Sequence, residues 1–218
     1  MTARARGPFT LKGALVSIDP STQQPTIIAF QYNPATVHRS VKPEMVGGEE
    51  GDRSMAVRFK GAPTETISLE IEIDATDGLD AADNTAETMG IYPQLFALEL
   101  LAYPQSAVIV QQSTLLDAGV IEVAPALAPR TLLVWGPRRV LPVRVGDYTI
   151  SEEAFDAQLN PIRATVSLSM RVLNYSDLDS SNRSYSDFLG YQQSMEALSG
   201  QGQPNAGKAT IGVNINEY

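Results

Sequence analysis

The chain has 218 residues, enough to bury a sizeable core in one domain, or in one domain with a tail. Its 25 acidic and 16 basic residues leave a formal charge of -9, the wrong sign for broad binding to a phosphate backbone. Cysteine is absent, so disulfides and thiolate metal sites are excluded. No apolar run is long enough to cross a bilayer, and MTARARGPFT leads into a strand pattern rather than the apolar region of a Sec-type signal.

In chain order, FTLKGALVSID reads as a first strand, with Phe9, Leu11 and Leu15 on one face. A polar turn, STQQP, joins it to PTIIAFQYNP, a strand that ends where Tyr32-Asn33-Pro34 leaves the ladder. The mixed, Gly/Glu-rich stretch from Ala35 to Gly51 reads as a long surface loop. TETISLEIEID then alternates strictly: Ile67, Leu69, Ile71 and Ile73 against Thr66, Ser68, Glu70, Glu72 and Asp74. Such alternation requires one buried and one polar face. RATVSLSMRVLNY repeats it, with Ala164, Val166, Leu168, Met170 and Val172 opposite Arg163, Thr165, Ser167, Ser169 and Arg171. Parallel strands covered on both faces do not alternate this way, so the sheet is expected to be antiparallel.

Between these strands the acidic run DGLDAADNTAETMG reads as loop. TMGIYPQLFALELLAYP is the one strong helix signal, about Tyr92 to Tyr103, with Leu95, Leu98, Leu101 and Ala102 at spacings of three and four. It is too apolar to stand free and is expected to pack on the sheet or over a barrel mouth. QSAVIVQQSTLLDAGVIEVAPALAP is open between an insertion, short strands and a second helical piece. Thr131–Trp135, Val140–Val145 and Tyr148–Phe155 read as further strands, with Asn160-Pro161 turning the chain into the last one. After Tyr175 the sequence becomes rich in Ser, Gly, Gln and Asn, as in a flexible or partner-ordered tail. Its end, KATIGVNINEY, regains alternation at Ile211, Val213 and Ile215 and can add as a strand to another subunit. The expected division is therefore a β-rich unit over 1–175 and a polar C-terminal extension over 176–218.

The candidate chemistry is thin. His38 is the single histidine, so neither a His-based triad nor a multi-histidine metal site is expected unless another chain contributes, and a structural or incidental role is expected. Glu70, Glu72 and Asp74 fit a solvated or subunit-facing strand face better than paired-carboxylate hydrolysis, as do Glu152, Glu153 and Asp156 near a turn. Asp74, Asp77, Asp80 and Asp83 lack the spacing of a calcium loop. The glycines of GGEEGD lie among acids that repel phosphate, and Ser113 and Ser151 have no neighbouring base. Arg4, Arg6 and Lys12, and Arg138, Arg139 and Arg144, are small basic spots best read as solvated. Trp135 is expected in the core or at a barrel end; in the alternative reading, a carbohydrate-binding β-sandwich module, it is exposed beside tyrosines in a groove. No catalytic, cofactor or metal residues are assigned, and no enzymatic activity is expected.

The ordered set LKGALVSID, Phe30-Gln31-Tyr32-Asn33-Pro34 with Val37, Arg39 and Ser40, TISLEIEID, YPQLFALELLAYP, LLVWGP and FDAQLNPIRATVSLSMRV resembles the tube and baseplate-hub proteins of contractile injection systems, phage-tail-like machines of bacteria. The resemblance covers about residues 9 to 175. It is similar to the tube domain that many relatives follow with a LysM domain, whose compact apolar pattern the residues after Tyr175 lack. It implies a mainly β, antiparallel barrel-like tube domain with one principal packed helix. It further implies a homo-oligomeric ring of six copies, with inner-tube, spike and baseplate proteins as partners and neither nucleic acid nor membrane. The ring would join tube to spike, assembled in the cytoplasm of the producing bacterium or carried in a released particle.

Overall fold

A computed structural model of the chain describes residues 11–46, 58–119, 125 and 127–202. The elements in order are β1 (Ala14–Ile18), β2 (Pro25–Ala29), β3 (Val37–Lys42), β4 (Met45–Val46), β5 (Arg58–Phe59) and β6 (Thr64–Asp74). Four helices follow: α1 (Thr76–Asp80), α2 (Asn84–Met89), α3 (Tyr92–Glu99) and α4 (Ser106–Asp117). Then come β7 (Arg130–Val134), β8 (Val140–Phe155), β9 (Pro161–Val172) and α5 (Arg183–Gly202). Seven strands make one antiparallel sheet in the order β2-β1-β7-β8-β9-β6-β3, and β4 pairs with β5 apart from it. The molecule is mainly β and antiparallel, as the alternation requires.

Register explains which side chains meet. Ile67, Leu69, Ile71 and Ile73 lie opposite Met170, Leu168, Val166 and Ala164, and each of these is at most 4% exposed. Directly paired residues share a face, so two alternating strands fuse into one apolar surface. β8 extends it through Val143 opposite Val172 and Val145 opposite Met170, then through Tyr148 opposite Leu168 and Ile150 opposite Val166. The step from Val145 to Tyr148 is a β-bulge at Gly146-Asp147. Two strands expected from the sequence are therefore one bent strand. Were the same sequence paired without the bulge, Asp147 would point into the core and Tyr148 out of it.

The sheet is not a hydrogen-bonded closed barrel: β2 and β3 are its outer strands. It curls until the end of β2 meets the end of β6, and there a side chain closes the gap. The Gln31 amide donates to the Asp74 carbonyl (2.7 Å) and accepts from the Asp74 N–H (2.9 Å), supplying the two bonds a strand residue would make. α3 covers the rest of this seam, with Leu95 and Leu98 buried and Leu101, just beyond the helix, partly so. Its approach is fixed at Gly90 (φ +56°), where a Cβ would collide with the Pro161 carbonyl that accepts from Ile91 N–H.

The helices exceed the one expected. The acidic run before α3 forms α1 and α2, the latter capped by the Asp83 carboxylate on Thr85 N–H (3.0 Å). The ambiguous stretch supplies α4, on which no residue is buried. The stretch read as a loop after Ala35 supplies β3, an edge strand whose exposure hides its alternation. The polar extension is not structureless at its start: α5 is the longest helix, and its Phe188 and Tyr191 join the same core as β6 and β9. The Arg130–Asp187 ion pair and an Arg130–Ser184 hydrogen bond (3.1 Å) anchor it to β7. The terminal KATIGVNINEY segment, Arg4, Arg6 and the GGEEGD glycines lie outside the described residues.

Candidate assembly surfaces

The outward face of β6, β9 and β8 is a ladder of polar rows. Asp74, Arg163 and Glu153 form one row, then Glu72, Thr165 and Ser151, then Glu70, Ser167 and Thr149. Beyond them Ser68 pairs with Ser169 on one side and His38 of β3 on the other. Arg163 pairs with Asp74 (2.8 Å), and Ser167 Oγ donates to Glu70 (3.4 Å). Arg163 is the one cation of the first three rows, against Glu70, Glu72, Asp74 and Glu153, while beyond Ser68 the same face turns basic where Thr66 pairs with Arg171 and Arg171 with Arg144. The field over those first three rows is therefore negative.

A shallow cleft of about 660 Å³ runs along this face beneath the Tyr32–Thr36 turn. His38 lines it, with Glu70, Glu72 and Asp147 nearby. The turn is fixed by Asn33, whose amide donates to Leu11 O (2.8 Å) and accepts from Gly13 N–H (2.8 Å). The Tyr32 hydroxyl lies 3.4 Å from the Asp77 carboxylate, which together with the nearby Asp74 charge pushes its pKa up. The Asn-Pro signature is thus a structural clamp between β1 and β2.

The carboxylates singled out in the sequence do not converge. Glu152 and Glu153 are neighbours on one strand and face opposite sides of the sheet. Asp156 closes the β8–β9 turn, bonding the Asn160 side chain (2.7 Å) and accepting from the Asn160 and Gln158 amides (2.8 Å each). These bonds, that from Asn160 first, hold its pKa below the ordinary carboxylate value. Asp74 is lowered too, first by the Thr76 hydroxyl and also by Arg163. Hydrogen bonds that favour the charged form disqualify both as proton donors near neutral pH. Ser113 is on exposed α4 and Ser151 is in the polar rows, apart from any base. Among the described residues, no group of three His, Cys, Asp or Glu side chains is placed to hold a metal ion.

Trp135 sits on Phe30 with ring centroids 6.4 Å apart, partly buried, and a Cβ on Gly13 would lie 2.8 Å from its ring. It packs against the core beside β1 and does not line the cleft that holds Tyr32 and Tyr148. Phe59, by contrast, is 76% exposed on the β4–β5 pair, beside exposed Met45 and Val46.

Two further surfaces were not evident in the sequence. An apolar groove of about 730 Å³ lies between the β1–β2 turn and α3–α4, lined by Leu100, Tyr103, Val108 and Leu115. Past its buried half, α5 continues with Met195 and Leu198, 41% and 36% exposed. The sequence signal for the latter is a five-position seam, Ser184-Phe188-Tyr191-Met195-Leu198, obscured by intervening polar residues. No helix among the described residues is long and apolar enough to cross a membrane.

Solved structures with some likeness include the tail of an empty gene transfer agent particle (12% identity, 73% of this chain and 90% of that chain, TM-score 0.29). A second is the baseplate of the anti-feeding prophage (10%, 78% and 94%, TM-score 0.29), and a third the virion of a native gene transfer agent (11%, 73% and 90%, TM-score 0.28). No curated protein sequence matches. The model of the family described as contractile injection system tube protein matches residues 14–180. That span takes in every strand of the seven-stranded sheet and the helices α1 to α4, and the chain belongs to the contractile injection system tube protein family.

Proposed function

We propose that the protein is a non-enzymatic ring subunit that joins the inner tube of a contractile injection system to its spike. Family membership carries the tube-type role. The observation that supports ring building is a single curled sheet whose outer strands, β2 and β3, keep unpaired main-chain edges among the described residues. Such edges pair with other chains unless they are covered. In this reading copies of the chain, six to a ring, meet edge to edge. The polar face of β6, β8 and β9 turns toward the bore, where its negative rows keep the channel wet and repel nucleic acid. The extension beyond residue 175 is ordered further by contacts with baseplate neighbours.

The test is electron microscopy of particles from a strain lacking the gene, beside purified wild-type protein. Particles that lack the spike, or do not assemble, are expected, together with sixfold rings of the purified chain. Normal particles with the spike still joined to the tube overturn the adaptor role.

A further inference from the structure

We propose that the distal half of α5 is a clasp that packs on a second copy of the chain across the free edge of β3. The proposal rests on the ring reading above and names a contact within it. Its basis is one continuous helix face. Ser184, Phe188, Tyr191, Met195 and Leu198 follow one another at intervals of four, three, four and three residues, the spacing of an a/d seam. The first three are buried in their own subunit, at 3%, 5% and 9% exposure, and the last two are not. Among the described residues the seam runs out of partners while the helix itself continues unchanged.

Three contacts give the direction of travel. Ser184 and Asp187 are held by Arg130 of β7, and the Tyr191 hydroxyl lies 3.3 Å from the Arg39 guanidinium of β3. β7 and β3 are separated in the sheet by β8, β9 and β6, so α5 crosses the strands toward the β3 edge. A helix rises about 1.5 Å per residue, which puts Met195 about 6 Å and Leu198 about 10 Å beyond Tyr191. Strands are spaced by about 4.8 Å. The two side chains therefore overhang the ground that one or two strands added to β3 would occupy. β3 pairs with β6 alone among the described residues, and Val41, on the same face as Arg39, is half exposed at this edge.

The overhanging stretch is suited to an apolar partner. From Gln192 to Gly202 its one charged side chain is Glu196, which accepts from Gln192 on the same helix (3.3 Å). A strand that extends the sheet at β3 comes, in a ring of like subunits, from a second copy. The clasping helix and the clasped edge are then different surfaces, the kind of contact that propagates around a closed ring.

Two variants of the full chain test this. Met195→Glu with Leu198→Glu replaces exposed residues only, so circular dichroism and melting temperature should match wild type. Ring association should weaken by about tenfold or more, as for two apolar anchors lost from an interface. A photo-crosslinking benzoylphenylalanine at position 195 should give covalent dimers of the chain, with the crosslinked peptide in the outer strands of the second copy. Wild-type rings with undiminished association of the double variant, or products crosslinked only within one chain, overturn the clasp and leave the ring reading intact. A wild-type chain that forms no rings at any concentration overturns both.

Discussion

Replacing Gln31 with alanine removes the side chain that closes the seam between β2 and β6. Two hydrogen bonds go at once, to the Asp74 carbonyl and from the Asp74 N–H, both part-buried. A typical net hydrogen bond contributes about 0.5–1.5 kcal/mol, and leaving its buried partner unsatisfied costs about 1–3 kcal/mol. Water reaches part of this site, so the loss should fall near 2 kcal/mol, roughly 4–8 °C in melting temperature for a chain of this size. Gln31→Glu keeps the acceptor for the Asp74 amide but sets a carboxylate against the Asp74 carbonyl, so it should be no better than alanine. Urea denaturation measures the global effect. Amide exchange measures the local one, because the Asp74 N–H owes its protection to Gln31 and should exchange much faster in the variant. An unchanged Asp74 amide, or a stability change below about 0.5 kcal/mol, would refute the idea that a side chain closes this sheet.

Arg39→Ala strands the Glu65 carboxylate, whose side chain is 8% exposed and paired at 2.6 Å; a loss on the order of 3 kcal/mol is expected in denaturant titration, largely recovered by adding Glu65→Leu. Leu69→Asp places an unpaired charge at a position 4% exposed and should leave the chain unfolded by circular dichroism, whereas Glu70→Gln on the opposite face should change stability by less than about 0.5 kcal/mol. The Asp74 carboxyl, lowered first by Thr76 and then also by Arg163, binds its proton less readily in the folded than in the unfolded chain. Its stabilisation is present above the ordinary carboxyl value of 3.8 and is lost as pH falls through the lower folded value. The acid limb of a stability profile should therefore flatten in Asp74→Asn.

Where one face of an element is buried and the other solvated, the sequence was a sufficient guide. β6 and β9 could be read residue by residue because each apolar side chain has a polar neighbour on either side. α3 was legible for the related reason that its leucines recur at helical spacing over a buried seam. Elements at the margin of the core were harder to recognise. β3 has a single packed aliphatic, Val37, and reads as loop because an edge strand buries so little. α5 sets its seam in a helix of twenty residues rich in Ser, Gln and Gly, so composition suggested a tail where periodicity specified a helix. The bulge in β8 eluded pattern reading because Val145-Gly146-Asp147-Tyr148 looks like a break between strands, while the backbone simply continues. As for function, the polar rows were visible as a surface, but the edges that make them part of a larger object depend on strand order, which alternation does not encode.

The bulge at Gly146-Asp147 also sets the parity of the hairpin beyond it. Two residues there stand opposite Ser169 alone, so deleting one of them would remove the local bend yet leave Tyr148 opposite Leu168 and Ile150 opposite Val166. Deleting one residue further along, between Tyr148 and Phe155, would instead exchange the two faces of everything after it. Changes of two residues preserve the facing code, and the β8–β9 turn is held in place by Asp156 and by the Asn160 amide on the Thr88 carbonyl. A redesign of the polar rows thus has a permitted grammar: alter the distal strands in pairs, and confine a single-residue deletion to the bulge between Val145 and Tyr148, where no face is turned over.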